Sequence, residues 1–253
     1  MLSPDAPPTA SPVAASEPMP SLIERAVAIF ARPTRAWAGL ERPRWWFPLA
    51  VMIVVQIAST VVLYERAVIP MIRTGWEQAV EAGQMPAERV DELTAMMTQP
   101  LGWTFSILQQ AVTWVIMSLV GALMVWFGVG FVLGHPMKYR QAFEVNAWSS
   151  LIMLPAIVLT GVIAWSKGTL RGVHLGFAAL LPETETPTKL LTGSKVFLDG
   201  VGPFAVWCIA VTVIGASALT GAPRRSVAWV VGALYVGLML FIAALAGMFT
   251  PGS

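Results

Sequence analysis

The sequence predicts an all-α fold: a polytopic integral membrane protein with five transmembrane helices and an N-terminal interfacial amphipathic helix. Three observations carry this. The 253 residues are 56% hydrophobic and only 12% charged, against about 25% charged in an ordinary soluble domain. The apolar residues are grouped into charge-free runs of about 20 residues or more, long enough to cross a hydrocarbon core of about 30 Å at 1.5 Å per residue. Arginines and tryptophans cluster where the first run begins, the composition of a membrane–water interface.

Residues 1–20 hold six of the 19 prolines among Ala and Ser and read as a disordered tail without the apolar h-region of a secretory signal. Residues 21–44 read as a cytoplasmic interfacial segment. Ser21-Leu-Ile-Glu24 fits a capping box, after which Leu22, Ala26, Ile29 and Phe30 share one face opposite Glu24 and Arg25. Pro33 stops the helix. Arg35, Trp37, Arg42, Arg44, Trp45 and Trp46 follow as expected interfacial membrane contacts.

Residues 45–250 form the membrane domain. The first span is 45–64; two short polar helices separated by Gly83 and Pro86 then fill 65–99. A long run at 101–133 must tilt or project beyond the bilayer. The third span, 145–166, carries Pro155 in its middle, where a proline kinks the helix. Residues 167–199 read as a polar loop with an apolar island at 175–181, and 203–221 and 226–249 are the fourth and fifth spans, joined by a tight turn. With the N-terminus in the cytoplasm, the inner segments hold nine Arg/Lys. The longer outer loops hold seven, with nine acids. The short basic loops therefore stay inside and the C-terminus lies outside.

The near balance of 16 basic and 14 acidic residues gives no case for nucleic acid, and the single cysteine, Cys208, excludes an internal disulfide framework. Gly128, Gly130 and Gly134 lie in a span, not in a strand–helix turn, so they read as helix packing. Leu181-Pro-Glu-Thr184 lacks the following glycine of a sortase signal. His135 and His174 fall in loops on opposite sides and share no metal. No paired groups suit catalysis, and no cofactor is expected.

The candidate polar cluster is Glu144, Asn146, Ser149, Ser150 and Asp199. Glu144 reads as a headgroup-zone carboxylate balancing Lys138 and Arg140, with a functional intramembrane acid as the alternative. Asn146, Ser149 and Ser150 are expected to hydrogen-bond neighbouring helices, and Asp199 to cap the fourth span near Gly202. Gly215, Ser217, Ala218 and Gly221, and then Gly232, Ala243 and Gly247, form small-residue faces for close helix approach.

Three stretches carry a family resemblance. They are Ala31-Arg-Pro33 through Trp37 with Glu41-Arg-Pro-Arg-Trp-Trp-Phe-Pro48; Tyr139-Arg-Gln-Ala-Phe-Glu-Val-Asn-Ala-Trp148-Ser-Ser on to Leu154-Pro155; and Phe197-Leu-Asp199 followed by Phe204-Ala-Val-Trp207. Over residues 20–250 the pattern resembles the bacterial branch of the Yip family, the Ypt/Rab-GTPase-interacting integral membrane proteins. The resemblance implies five spans, a cytoplasmic N-terminus and, in eukaryotic relatives, membrane trafficking and Rab contact. The tyrosine/proline motif of those relatives has no counterpart here. The expectation is a non-enzymatic membrane-organising or adaptor component, whose partners are the lipid bilayer and a membrane protein or second copy. The alternative is a small permease or an accessory subunit of an export system.

Overall fold

The structure is a computed structural model describing residues 20–39, 44–184 and 188–250. The Pro/Ala-rich tail (apart from Pro20), Arg42 and Ser253 lie outside the described residues. Every regular element described is helical, and five helices are long and apolar enough to cross a membrane: Trp46–Glu81, Pro100–Val132, Tyr139–Lys167, Pro203–Thr220 and Arg224–Met248. Large apolar side chains such as Leu101, Phe105, Val158, Val162 and Phe241 stand exposed along them. Such a continuous apolar surface would aggregate in water and matches acyl chains instead.

Helix α1 (Leu22–Ala31) begins as its sequence requires: Ser21 accepts from the Glu24 backbone and the Glu24 carboxylate from Ser21 N. The Ser21 amide also pulls the Glu24 carboxyl below its ordinary pKa. Contrary to the sequence reading, Arg25 does not share the outer face with Glu24. It is fully buried beside Ile29, while Ile23 and Val27 face outward. The helix packs on the bundle, with Phe30 edge-on to Trp207 at 5.8 Å.

The first span, α2 (Trp46–Leu63), does not end near residue 64. A π-helical turn at Tyr64–Val68 carries it into α3 (Ile69–Glu81), so the polar stretch continues the same rod. Pro70 falls in the first turn of α3, where its missing N–H costs nothing. Helix α4 (Ala87–Thr98) turns back, and α5 (Pro100–Trp126) crosses the bundle, ending in a second π-helical segment, Phe127–Val132. Here Gly128 admits α10, since a Cβ would stand 3.0 Å from Val230.

The third span starts earlier than the charge-free run, at Tyr139. It breaks into α6 (Tyr139–Ser149), a 3-10 turn (Ser150–Met153) and α7 (Leu154–Lys167). Pro155 therefore sits in the first turn of α7 and not in mid-helix, so the 3-10 turn absorbs the irregularity that a proline imposes.

The expected polar loop is corrected more substantially. Residues Phe177–Leu180 form a 3-10 turn and Lys189–Gly200 a helix, α8, which packs along the C-terminal half of α10 (Arg224–Met248). Gly200 lies against Met239, Gly193 against Ala243 and Lys189 against Gly247, so the two run antiparallel. Helix α9 (Pro203–Thr220) then continues away from α8. The two helices meet at Val201 and Gly202 as a broken rod, an arrangement that a membrane tolerates only where protein covers the break. Gly221, at φ 70°, starts the turn into α10.

The core collects residues from α1, α2, α5, α6, α9 and α10 and from the segments between them, including Ile29, Trp37, Met52, Val129, Trp148 and Val227. It lies at the bundle end where α2 and α6 begin and where α5 and α9 finish.

Candidate functional site: a buried carboxylate joint

Helix α2 starts Arg44-Trp45-Trp46, with no Ser, Thr, Asp or Asn to accept from its first N–H groups, and no side-chain cap bond is present. Those orphan donors need an acceptor from elsewhere. Glu144 supplies it. The Arg44 N–H donates to both Glu144 oxygens at 2.9 Å, and the Trp45 N–H to Oε2 at 2.9 Å. The carboxylate thus caps a helix 100 residues away, where the positive end of the helix dipole favours a negative charge.

The remaining capacity of Glu144 is used locally. Trp148, one turn along α6, donates its indole N–H to Oε1 at 2.9 Å. Arg25 places Nη1 4.0 Å from Oε1 and lies over the Trp148 ring at 5.4 Å. Its Nη2 donates to the Ala38 carbonyl at 2.8 Å and the Gly39 carbonyl at 3.4 Å, closing the chain reversal after Pro33. Arg44 reaches back through Nη1 to the Pro20 carbonyl at 3.1 Å. Phe47 stacks on Trp148 from the other side. Burial pulls the Arg25 guanidinium below its ordinary pKa; the Glu144 charge opposes this and Arg44 reinforces it. One buried acid therefore fastens three pieces of chain: α1, the entry to α2, and α6.

The headgroup reading of Glu144 is corrected, since it is buried (3% exposed) and paired with Arg25, not with Lys138 or Arg140. Trp37, expected at the lipid interface, is also buried. Its ring covers Gly215 of α9, where a Cβ would stand 2.7 Å away. Arg44 and Trp45 are half-buried in the joint, while Arg35 and Trp46 are exposed. Asn146 behaves as expected, donating to the Ser118 carbonyl of α5 at 3.0 Å. Ser150 instead bonds its own helix at Ala147, and the buried Ser149 hydroxyl has no partner. Arg25 was missed because a face assignment by charge puts any arginine outside.

Asp199 stands apart from this joint, within α8, and does not cap α9, whose N-cap Gly202 has no side-chain bond. It pairs with His174 instead, at 2.5 Å from Nδ1, while Nε2 lies 3.3 Å from Glu183. Lys195 completes the cluster 3.2 Å from Glu183, and its hydrogen bond is the main reason that carboxyl is held below its ordinary pKa. His174 is thus not a plain loop residue but ties the 168–184 segment to α8. The two carboxylates address opposite ring nitrogens, and among the described residues no group of three or more His, Cys, Asp or Glu is placed to hold a metal ion.

Five long apolar helices make this a multi-pass membrane protein, in contact with lipid along their outer faces. The Yip1 domain family matches residues 27–246, and the chain belongs to the Yip family. The match takes in the Glu144 joint from Val27 onward, both α8 and α9, and most of α10. Neither the curated proteins nor the solved structures gave a match.

Proposed function

We propose that this protein is a non-enzymatic membrane-organising or adaptor component, acting through protein or lipid contacts, with its N-terminus on the cytoplasmic side of a bacterial inner membrane. The observation that carries this reading is the saturation of Glu144. An acid poised for catalysis or transport keeps an oxygen free for substrate, whereas here backbone and indole donors occupy both oxygens. The joint instead holds a shaped cytoplasmic element against the bundle, which suits recognition. Copurification in gentle detergent from the native membrane tests it. A stoichiometric non-transport membrane protein, or a homo-oligomer with lipid, supports the adaptor reading. An export ATPase or periplasmic adaptor overturns it in favour of an accessory subunit of a transport system.

That second reading has one observation of its own, the break between α8 and α9, since discontinuous helices form the binding sites of many transporters.

Lipid contact by the N-terminal segment gives a separate expectation. Arg32 and Arg35 are exposed just beyond the outward-facing Ile23 and Val27, and each basic residue near an anionic surface contributes about 1 kcal/mol. Hydrogen exchange of α1 should be slower in phosphatidylglycerol nanodiscs than in phosphatidylcholine ones. In the Arg32→Glu/Arg35→Glu variant that difference should vanish. Equal exchange of the wild type in both lipids would remove the lipid-docking role.

A further inference from the structure

A cavity of about 340 Å³ lies between α5, α6, α9 and α10, beneath the break that joins α8 to α9, within the size range of small-ligand sites. Its wall runs from Pro203 to Thr212 on α9 and from Val231 to Met239 on α10, about 14 and 12 Å at 1.5 Å per residue. On α10 this stretch begins seven residues after Arg224 and stops nine before Met248, so the cavity occupies the middle of the crossing helix. At that depth the bilayer holds only acyl chains.

The chemistry of the wall fits the same occupant. Met117, Met124, Met153 and Met239 line it, supplying flexible, polarizable surface that moulds to irregular apolar guests. Most hydrogen-bonding donors in the wall are already engaged. Ser118 donates to the Trp114 carbonyl, Ser150 to Ala147, Thr212 to Cys208, Asn146 to Ser118 and Tyr235 to Gly200. Trp114 Nε1 and Asp199 Oδ1 lack partners, but both are sealed from solvent, so neither faces the void. A polar solute would lose its hydration there and find few partners in return.

On the His174 side the backbones that border the cavity pack tightly. Gly176 lies so close to α8 that a Cβ would stand 2.6 Å from Asp199 Cα, and one on Gly202 would stand 2.8 Å from Gly176 Cα. The His174–Asp199 pair and the Tyr235–Gly200 bond close the same end. Met117 of the wall is itself exposed on the outer face of α5, so the bilayer adjoins the cavity.

We propose that this cavity is a lipid site that takes one acyl chain from the surrounding membrane. The inference deepens the lipid-contact part of the proposed function, and the copurification above tests the protein-partner part independently.

The test uses the full-length protein in nanodiscs of phosphatidylethanolamine and phosphatidylglycerol carrying a trace of phospholipid with a diazirine in its acyl chain. After photolysis, mass spectrometry locates the adducts. Outward residues such as Leu108, Val158 and Val162 label in any case and serve as reference. The expected result is strong labelling of cavity residues, with Met153, Ile209 and Leu238 among them. In an Ala156→Leu variant, which fills part of the cavity, that labelling should fall about tenfold relative to the reference, as overpacking a close-fitting site implies. Labelling confined to outward residues in the wild type overturns the proposal, whether or not the variant folds. So does cavity labelling that a folded Ala156→Leu protein leaves unchanged.

Discussion

Replacing Glu144 with alanine should cost about 3–5 kcal/mol, the usual loss when one member of a buried ion pair is removed. The size follows from what is left behind. The Arg25 guanidinium would stay buried with its Nε and Nη1 already without hydrogen-bond partners, and the Arg44 and Trp45 N–H groups and the Trp148 indole would lose their acceptor. Hydrogen bonds to a charged acceptor are each worth about 1.5–3 kcal/mol, and their losses overlap because they share one carboxylate. The deficit should fall on the joint first. In detergent, Tm should drop and the amides of α1 should lose protection, while those in the middle of α10 keep theirs. Glu144→Gln should fall between the two, since one oxygen can still accept while the new NH₂ faces donors. Arg25→Ala should cost less than Glu144→Ala, because the carboxylate would still receive two backbone N–H groups and an indole. Unchanged Tm and α1 protection in Glu144→Ala would mean that the joint does not hold the segment.

What the sequence makes legible here follows from the bilayer. A span must be long and apolar wherever it lies, so five crossings and their approximate ends can be read from charge-free runs, and the second span, 101–133 by sequence, runs Pro100–Val132 in the structure. The Ser21–Glu24 box was equally readable, because both partners lie within one turn. Helix α8 was not. Its sequence, Lys-Leu-Leu-Thr-Gly-Ser-Lys-Val-Phe-Leu-Asp-Gly, is too polar and too short for a span, and its glycines argue against a helix until α10 is there to meet them. The joint was half legible. Glu144 stood out as an acid at a span entry, but only tertiary structure brings it to the Arg44 and Trp45 N–H groups. Arg25 could not be found by periodicity, since its place on the buried face depends on an anion 119 positions away.

The second large effect is expected in α10, where glycines with the same sequence appearance should respond in opposite directions. The sequence groups Gly232 and Gly247 into one small-residue face, yet they meet different surroundings. A Cβ on Gly247 would stand 2.8 Å from the Lys189 carbonyl oxygen, and across the seam one on Gly193 would stand 2.9 Å from that of Ala243. Both obstacles are backbone, which cannot rotate aside, so Gly193→Ala and Gly247→Ala should each destabilise by about 1–3 kcal/mol. Gly232 and Gly237 have nothing within 4 Å of a Cβ. There alanine meets no clash and removes the glycine penalty, so Gly232→Ala and Gly237→Ala should be neutral or stabilising by up to about 1 kcal/mol. Unfolding of the four variants in detergent, measured against wild type, gives the comparison. The sign pattern matters more than any single value, because a general intolerance of α10 to substitution would destabilise its three variants alike. If Gly247→Ala and Gly193→Ala matched the other two, α8 would not sit against α10 at backbone distance. The glycine-tight closure over the cavity, which depends on the position of Asp199 and Gly200 at the end of α8, would lose its support as well.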